Sequence, residues 1–251
     1  MPLLIFGHRG AAGEAPENTL VGFEYAYDKA GVRCFELDVH LTKDGQLAVI
    51  HDPLLDRTTD GKGLVGHHTL AELKRFNAGV LFFGEFPDAK IPTLHEVLDE
   101  FADKIGFFQI EIKTDTEVVL DRVADLVLQA INTYKIREKT VVTSFDPYAI
   151  TRIRLTDPTQ HCGLIAMEYT EKDLLKAVEL GCYNTCIRIT TANGKELTAK
   201  ARSYGLQTTG WLGNSAEDVD TLLSWGVDSI TTNYPSTVRT YVQQTLGLEI
   251  I

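Results

Sequence analysis

The chain has no surplus of positive charge. Its 24 Lys and Arg stand against 35 Asp and Glu, for a formal net charge of −11. General nucleic-acid binders and proteins that coat anionic membranes carry basic patches, so both classes are excluded. A small phosphate ester is not, because a bound cation reverses the local sign. No apolar run reaches the length needed to cross a bilayer, so stable membrane insertion is not expected. Residues 1–7 are short and lack a basic start, so no secretory signal is read there. The four cysteines, Cys34, Cys162, Cys182 and Cys186, have no zinc-like C-x2-C spacing. They read as buried free thiols, which suits a reducing cytoplasm. No low-complexity stretch and no Pro/Gly/Ser linker interrupts the chain, so one domain over residues 1–251 is expected.

What is present is an alternation. Strand-like apolar runs fall at residues 3–6, 34–39, 107–112, 140–144, 162–166, 185–189, 207–211 and 229–232. Helical patterns follow them at 19–30, 93–101, 117–134, 147–155, 171–180, 194–204, 216–225 and 235–246. The third helix is the clearest, with Val119, Val123, Leu126, Val127 and Ala130 at helical spacing. Gly31, Gly181, Gly205 and Gly226 each precede an apolar residue, the helix-stop and strand-start signal of an α/β unit. Eight repeats predict an α/β fold, a (β/α)8 barrel, with a doubly wound sheet as runner-up.

One stretch breaks the alternation. After the second strand, Thr42-Lys43-Asp44-Gly45 leads into residues 47–51, and Asp-Gly between apolar runs signals a hairpin. The excursion, residues 40–91 with a small insert at 53–91, is expected above the barrel. A two-residue turn pairs residues whose numbers sum to an odd constant. In that register His51 shares a face with Glu36 and Asp38, whereas a bulge at Gly45 shifts it by one.

Two charged clusters carry the chemistry. Glu36-Leu37-Asp38 ends the second strand and is followed by His51-Asp52, while Glu111-Ile112-Lys113 ends the third. Residues two apart on a strand face one side, so each pair can point at one spot. In barrels such sites form at the carboxyl ends of strands, where His8-Arg9-Gly10 also falls. Glu36, Asp38 and Glu111 are hard oxygen ligands suited to one divalent ion, Mg2+ or Ca2+. Arg9 offers a planar fork for a phosphate and Lys113 a point charge. His8 and His51 can exchange protons as base and acid in an in-line displacement at phosphorus.

These residues resemble the glycerophosphodiester phosphodiesterase family. The resemblance covers nearly the whole chain. It includes His8-Arg9-Gly10, Ala15-Pro16-Glu17-Asn18-Thr19, Glu36-Leu37-Asp38-Val39, Val49-Ile50-His51-Asp52, Leu55-Asp56-Arg57-Thr58-Thr59, Ile91-Pro92-Thr93-Leu94 and Glu111-Ile112-Lys113. It implies a (β/α)8 barrel with a small insert, one divalent metal, and hydrolysis of a small glycerophosphodiester to glycerol 3-phosphate and an alcohol. It also implies His8 and His51 as acid and base, Glu36, Asp38 and Glu111 as metal ligands, and Arg9 and Lys113 as phosphate ligands. Two segments depart from the family pattern: Trp211-Leu212-Gly213-Asn214 and Asn233-Tyr234-Pro235. Phe145 and Trp211 are expected to form an apolar wall for the glycerol carbons. Glu17-Asn18-Thr19 reads first as a helix start.

Two other functions compete. A lysophospholipase D would need an apolar trough, for which the insert offers Leu81-Phe82-Phe83 and Phe86. A binding protein without catalysis would lack a catalytic position, and none is missing. The hydroxyl beside the phosphoester suggests a two-step route through a cyclic phosphate, since internal attack gains from high effective molarity. The leaving alcohol, the choice of metal and the oligomeric state stay open.

Overall fold

A computed structural model describes residues 2–82 and 84–250; Met1, Phe83 and Ile251 lie outside the described residues. The elements run β1 (Leu4–His8), α1 (Leu20–Glu24), β2 (Cys34–Leu41), β3 (Leu47–Val49), α2 (Leu70–Leu73), α3 (Leu94–Phe101), β4 (Phe107–Ile112), α4 (Glu117–Tyr134), β5 (Thr140–Ser144) and α5 (Pro147–Thr156). They continue with β6 (His161–Ile165), α6 (Glu171–Glu179), β7 (Asn184–Arg188), α7 (Gly194–Ser203), β8 (Gln207–Trp211), α8 (Ala216–Trp225), β9 (Ser229–Thr232) and α9 (Pro235–Thr240). The strands pair in the order β1-β9-β8-β7-β6-β5-β4-β2, and β1 pairs back onto β2. Every one of these pairings is parallel, so the eight strands close into a (β/α)8 barrel. Among the described residues only β3 lies outside, antiparallel to the far end of β2.

Helix starts follow their side chains. Thr93, Thr170 and Ser215 each accept a hydrogen bond from the backbone three residues on, and Glu96, Asp173 and Asp218 answer to the cap's own backbone. Helix α8 stops at Gly226, whose φ of +80° supplies the left-handed cap. The first and last helices are shorter than their sequence patterns, because residues 25–29 and 241–245 continue as π-type turns. In α4 the buried stripe includes Val123, Val127 and Ala130, whereas Val119 and Leu126 are only partly buried.

The period-2 alternation of β2 and β4 separates two environments. Phe35, Leu37, Phe108 and Ile110 face the helices and are fully buried. Phe35 packs on Phe23 and Phe101 with ring centroids 5.1 and 5.2 Å apart, and on Phe108 at 6.4 Å. The alternate residues, Glu36, Asp38 and Glu111, face the barrel interior. Register then places them as neighbours: His8 lies beside Glu36, and Asp38 beside Glu111. The insert has its own apolar cluster, including Ile50, Leu55, Val65, Leu73 and Ile91.

The hairpin register differs from the two-residue expectation. Val39 pairs with Val49, His40 with Ala48 and Leu41 with Leu47, an even sum of 88. Thr42 receives the Gly45 amide and donates its own to Gln46, so the loop is Lys43-Asp44-Gly45 with Gly45 at φ +77°. That bulge, which only glycine adopts at little cost, shifts the register by one. In this register His51 does not share a face with Glu36 and Asp38; it reaches the site where the chain turns off β2 after Ile50, whose amide still donates to the Asp38 carbonyl at 3.1 Å.

The aromatic cluster behind β2 is expected to anchor the barrel wall that carries the carboxylates. Replacing Phe101 with Ala should cost about 3–5 kcal/mol, the usual range for a buried phenyl ring. A urea titration followed by circular dichroism checks this, and a loss below about 1 kcal/mol would place the anchoring elsewhere.

Candidate active site

His8, Glu36 and Asp38, and Glu111 come from three adjacent strands at one end of the barrel. Oxygen atoms from Glu36, Asp38 and Glu111 all lie within 4.8 Å of one another. Lys113, one residue beyond β4, places Nζ 2.5 Å from Glu111 Oε1 and 3.2 Å from Asp38 Oδ1. Arg9 places Nε 3.2 Å from Asp38 Oδ2, and its backbone amide donates to Glu36 Oε2 at 3.0 Å.

The loop after β1 is folded to make these contacts. Arg9 and Asn18 both adopt left-handed backbone, φ +52° and +55°, and the Asn18 amide donates to the Arg9 carbonyl at 2.9 Å. Such residues cost of order 1–3 kcal/mol each and persist where surrounding bonds over-determine them. Here side-chain hydrogen bonds hold both residues. Asn18 Nδ2 donates to Asp38 Oδ2 at 2.8 Å, and Arg9 Nη1 donates to Glu17 Oε1 at 2.9 Å. The helix-start reading holds for Thr19 alone, whose hydroxyl caps Gly22. Asn18 instead orients Asp38, and Glu17 braces Arg9. Sequence reasoning missed that role for Asn18; the signal was an Asn directly before a Thr cap, a residue type tolerant of positive φ.

Burial and crowding set the electrostatics. Burial, reinforced by Asp38 and Glu111, raises the Glu36 carboxyl well above its ordinary range. Burial and then Asp38 push Glu111 up to about 7, against the pull of Lys113. Burial also opposes ionisation of Asp38, yet Lys113 and Arg9 outweigh it and hold that carboxyl well below the usual range. The cluster thus combines one firmly ionised carboxylate with two that resist ionisation until a further positive charge arrives.

The two histidines are held differently. His8 Nδ1 lies 2.5 Å from Asn233 Oδ1, and its Nε2 lies 3.8 Å from Glu36 Oε2. An amide oxygen only accepts, so Nδ1 carries the hydrogen and Nε2 the lone pair. Burial, with help from the Arg9 charge, lowers His8 to about 3. Asn233 is fixed in turn, its amide donating to Asn214 Oδ1 at 2.9 Å, so the two segments that depart from the family pattern meet behind His8. His51 Nδ1 lies 2.6 Å from Asp52 Oδ1, a carboxylate lowered to about 2 despite burial, by hydrogen bonds from Arg57 and His51. The His51 carbonyl lies 3.0 Å from His40 Nε2, which pins the backbone where it leaves the hairpin.

His8, Arg9, Glu36, His51, Glu111 and Lys113 form one wall of a cavity of about 460 Å³. Phe145, Ile165, Met167 and Trp211 add an apolar lining beside Gln109, Cys186, Thr209 and Thr231, with the Phe145 and Trp211 rings edge-on at 6.2 Å. Asp38 is covered by Arg9, Asn18 and Lys113, and its side chain is only 1% exposed. Ile165 and Met167 were not anticipated, because they sit at and beyond the end of an ordinary apolar strand. The apolar trough proposed for the insert is not at this site. Phe86 lines a separate groove with Leu20, Val21 and Pro92, and Phe82 packs on Phe86 at 5.5 Å. Phe83 lies outside the described residues.

Comparison with known proteins gives a consistent result. A model of the glycerophosphoryl diester phosphodiesterase family matches residues 8–237. The glycerophosphodiester phosphodiesterase of Caldanaerobacter subterraneus subsp. tengcongensis is 33% identical over 247 residues, covering 97% of this chain and 99% of that protein. The crystal structure of a glycerophosphodiester phosphodiesterase from Agrobacterium tumefaciens superposes with a TM-score of 0.77 at 26% identity, covering 93% of this chain and 97% of that one. An Oleispira antarctica phosphodiesterase, solved in complex with the product sn-glycerol-3-phosphate, shares the fold with a TM-score of 0.87 at 24% identity, covering 96% and 97%. With a family model spanning most of its length and a full-length relative at one-third identity, the chain belongs to the glycerophosphoryl diester phosphodiesterase family.

Proposed function

We propose that this enzyme hydrolyses glycerophosphodiesters to glycerol 3-phosphate and an alcohol, with a divalent metal and two histidines, the barrel and its insert working as one unit. The observation that carries this reading is the buried trio Glu36, Asp38 and Glu111, flanked by Arg9, Lys113, His8 and His51 in one cavity. Three carboxylate oxygens within 4.8 Å, two of them on groups that burial pushes toward protonation, fit an all-oxygen site for Mg2+ or Ca2+. Such an ion, when bound, supplies Lewis-acid polarisation of the phosphoryl group. The relative crystallised with sn-glycerol-3-phosphate supports that product. Four buried cysteines fit a reducing cytoplasm.

The chain's own residues divide the remaining work. Arg9 and Lys113 bind the phosphate oxygens, and Phe145 and Trp211 hold the carbons of the ester. The hydroxyl next to the phosphoester attacks phosphorus. His8, whose Nε2 holds a lone pair, takes its proton. His51, backed by the anionic Asp52, gives a proton to the departing alcohol oxygen as the P–O bond breaks. The cyclic phosphate is then opened by water, with the two roles exchanged. A lysophospholipase D activity is the second reading, and it rests on the apolar wall of Phe145, Ile165, Met167 and Trp211 rather than on the insert. A panel of glycerophosphodiesters, with and without an acyl chain, assayed for released glycerol 3-phosphate in Mg2+ and in Ca2+, tests both readings. A metal-loaded enzyme that turns over none of them would leave only a binding role.

Chelation with EDTA should abolish turnover, and Mg2+ or Ca2+ should restore it. The same site gives the metal-free protein a pH signature. Glu111 is raised from an ordinary 4.5 to about 7. The folded chain therefore holds this proton more tightly than the unfolded chain. Its contribution to stability is fully present below about pH 4.5 and is lost as pH rises through about 7. Melting curves of chelated protein across this window check the sign, and Glu111→Gln should flatten the dependence while weakening metal binding in calorimetry.

His8→Ala and His51→Ala should each lower kcat by roughly 10²–10⁴-fold with the fold intact, as expected for positioned proton donors and acceptors. Steady-state kinetics on both variants decides this, and wild-type turnover in either would remove that histidine from the chemistry.

A diester lacking the neighbouring hydroxyl should bind but be cleaved very poorly, whereas the cyclic glycerol phosphate should itself be hydrolysed. Product analysis by phosphorus NMR separates the routes; rapid cleavage of the deoxy substrate would establish direct attack by water.

A further inference from the structure

Arg57 lies in the insert, outside the cavity lining, yet both of its guanidinium edges are engaged. Nε and Nη2 donate to Asp52 Oδ2 and Oδ1 at 2.6 and 3.2 Å. Nη1 and Nη2 donate to Glu17 Oε2 and Oε1 at 2.7 and 2.8 Å. Each carboxylate has a second partner inside the site. Asp52 Oδ1 lies 2.6 Å from His51 Nδ1, and Glu17 Oε1 accepts from Arg9 Nη1 at 2.9 Å. One guanidinium therefore joins two arms that come from different loops, one ending at a histidine and the other at a phosphate-binding arginine.

An exposed ion pair ordinarily contributes little. Three features set this one apart. The recognition is bidentate on both edges, a geometry that only a planar fork supplies. The carboxylates are shielded, with Glu17 11% and Asp52 25% exposed, even though Arg57 is 41% exposed. The backbone that carries Arg57 is also braced. Leu55 is fully buried in the apolar cluster of the insert, its amide donates to the Gly63 carbonyl, and its carbonyl accepts from Thr59 Oγ1.

We propose that Arg57 is a positioning residue for the reaction: through Asp52 it orients His51, through Glu17 it orients Arg9, and this is how the insert takes part in catalysis. The proposal rests on the catalytic reading of His51 and Arg9 given above. Deleting a supporting partner of this kind moves the reacting group by a fraction of an ångström, which costs roughly 10–100-fold in rate.

The test measures kcat, KM and melting temperature on metal-loaded enzyme for Arg57→Lys, Arg57→Ala, Asp52→Asn and Glu17→Gln, and for the double variants of Arg57→Ala with each carboxamide. Asp52→Asn should act mainly on kcat and Glu17→Gln mainly on KM, while Arg57→Ala should move both, by roughly 10–100-fold in kcat/KM. Each double variant should lose no more in its own parameter than the worse single, because the two changes break one connection. Arg57→Lys should fail to rescue, since one ammonium cannot hold two carboxylates in parallel pairs. If Arg57→Ala does not fold, Arg57→Lys carries the test, as it keeps the charge and most of the stem. Losses that multiply in the doubles, an effect confined to melting temperature, or wild-type kcat and KM in Arg57→Lys would each overturn the proposal. Wild-type turnover in the same assay checks the underlying reading separately: an inactive wild type overturns that reading, and an active one with an unaffected Arg57→Lys overturns only the role of Arg57.

Discussion

Three carboxylates buried in the mouth of one barrel are the constraint on which the rest of this structure depends. Removing such groups from water is expensive unless opposite charge and hydrogen bonds replace the solvent. Lys113 and Arg9 replace part of it: both reach Asp38, while Glu111 only shares Lys113 with it. Glu36 and Glu111 are left short of positive charge, which is why burial raises them while Asp38 stays ionised. The shortfall is what suits the cluster to a divalent ion, and the same two cations then face the cavity, where an anionic phosphate would meet them.

Satisfying that cluster dictates the backbone around it. The loop after β1 turns left-handed at Arg9 and again at Asn18, so that a backbone amide reaches Glu36 and a side-chain amide reaches Asp38. The strain is local and the bonds that offset it are those that hold the carboxylates. On the other flank a three-residue hairpin loop and its bulge bring His51 over the barrel, with His40 holding its carbonyl. Rigid strands and helices stand behind both loops, so few degrees of freedom remain at the side chains that line the cavity.

The two imidazoles are given unlike partners. The amide oxygen of Asn233 fixes the tautomer of His8, where burial and the Arg9 charge outweigh its pull toward the charged form; burial also lowers His51, against the pull of Asp38 and the Asp52 carboxylate. The unlike partners come from very different places in the chain, 225 residues from His8 in one case and next to His51 in the other, and the acid and base roles proposed for the pair draw on that difference.

The barrel and most of the site were legible in the sequence, because both are written in short-range patterns. Alternation along β2 and β4 told which residues face inward, glycines marked helix ends, and the order His8, Glu36, Asp38, Glu111 along successive strands implied convergence once the sheet closed. Local patterns end where contacts between distant segments begin. The hairpin register turned on one bulge at Gly45 that composition leaves open, so the parity read for His51 was off by one, although its side chain lines the cavity. The role of Asn18, the pairing of Asn233 with His8, and the bridge from Arg57 to Glu17 across 40 residues of chain depend on loop conformations set by packing. The apolar aromatic groups of the insert looked equally fit for the cavity from sequence, and only the fold sent Phe86 to a different groove. Residue chemistry and strand periodicity were determined by the sequence alone; which loop touches which was decided by the tertiary structure, since it depends on how separate elements pack and not on any run of neighbouring residues.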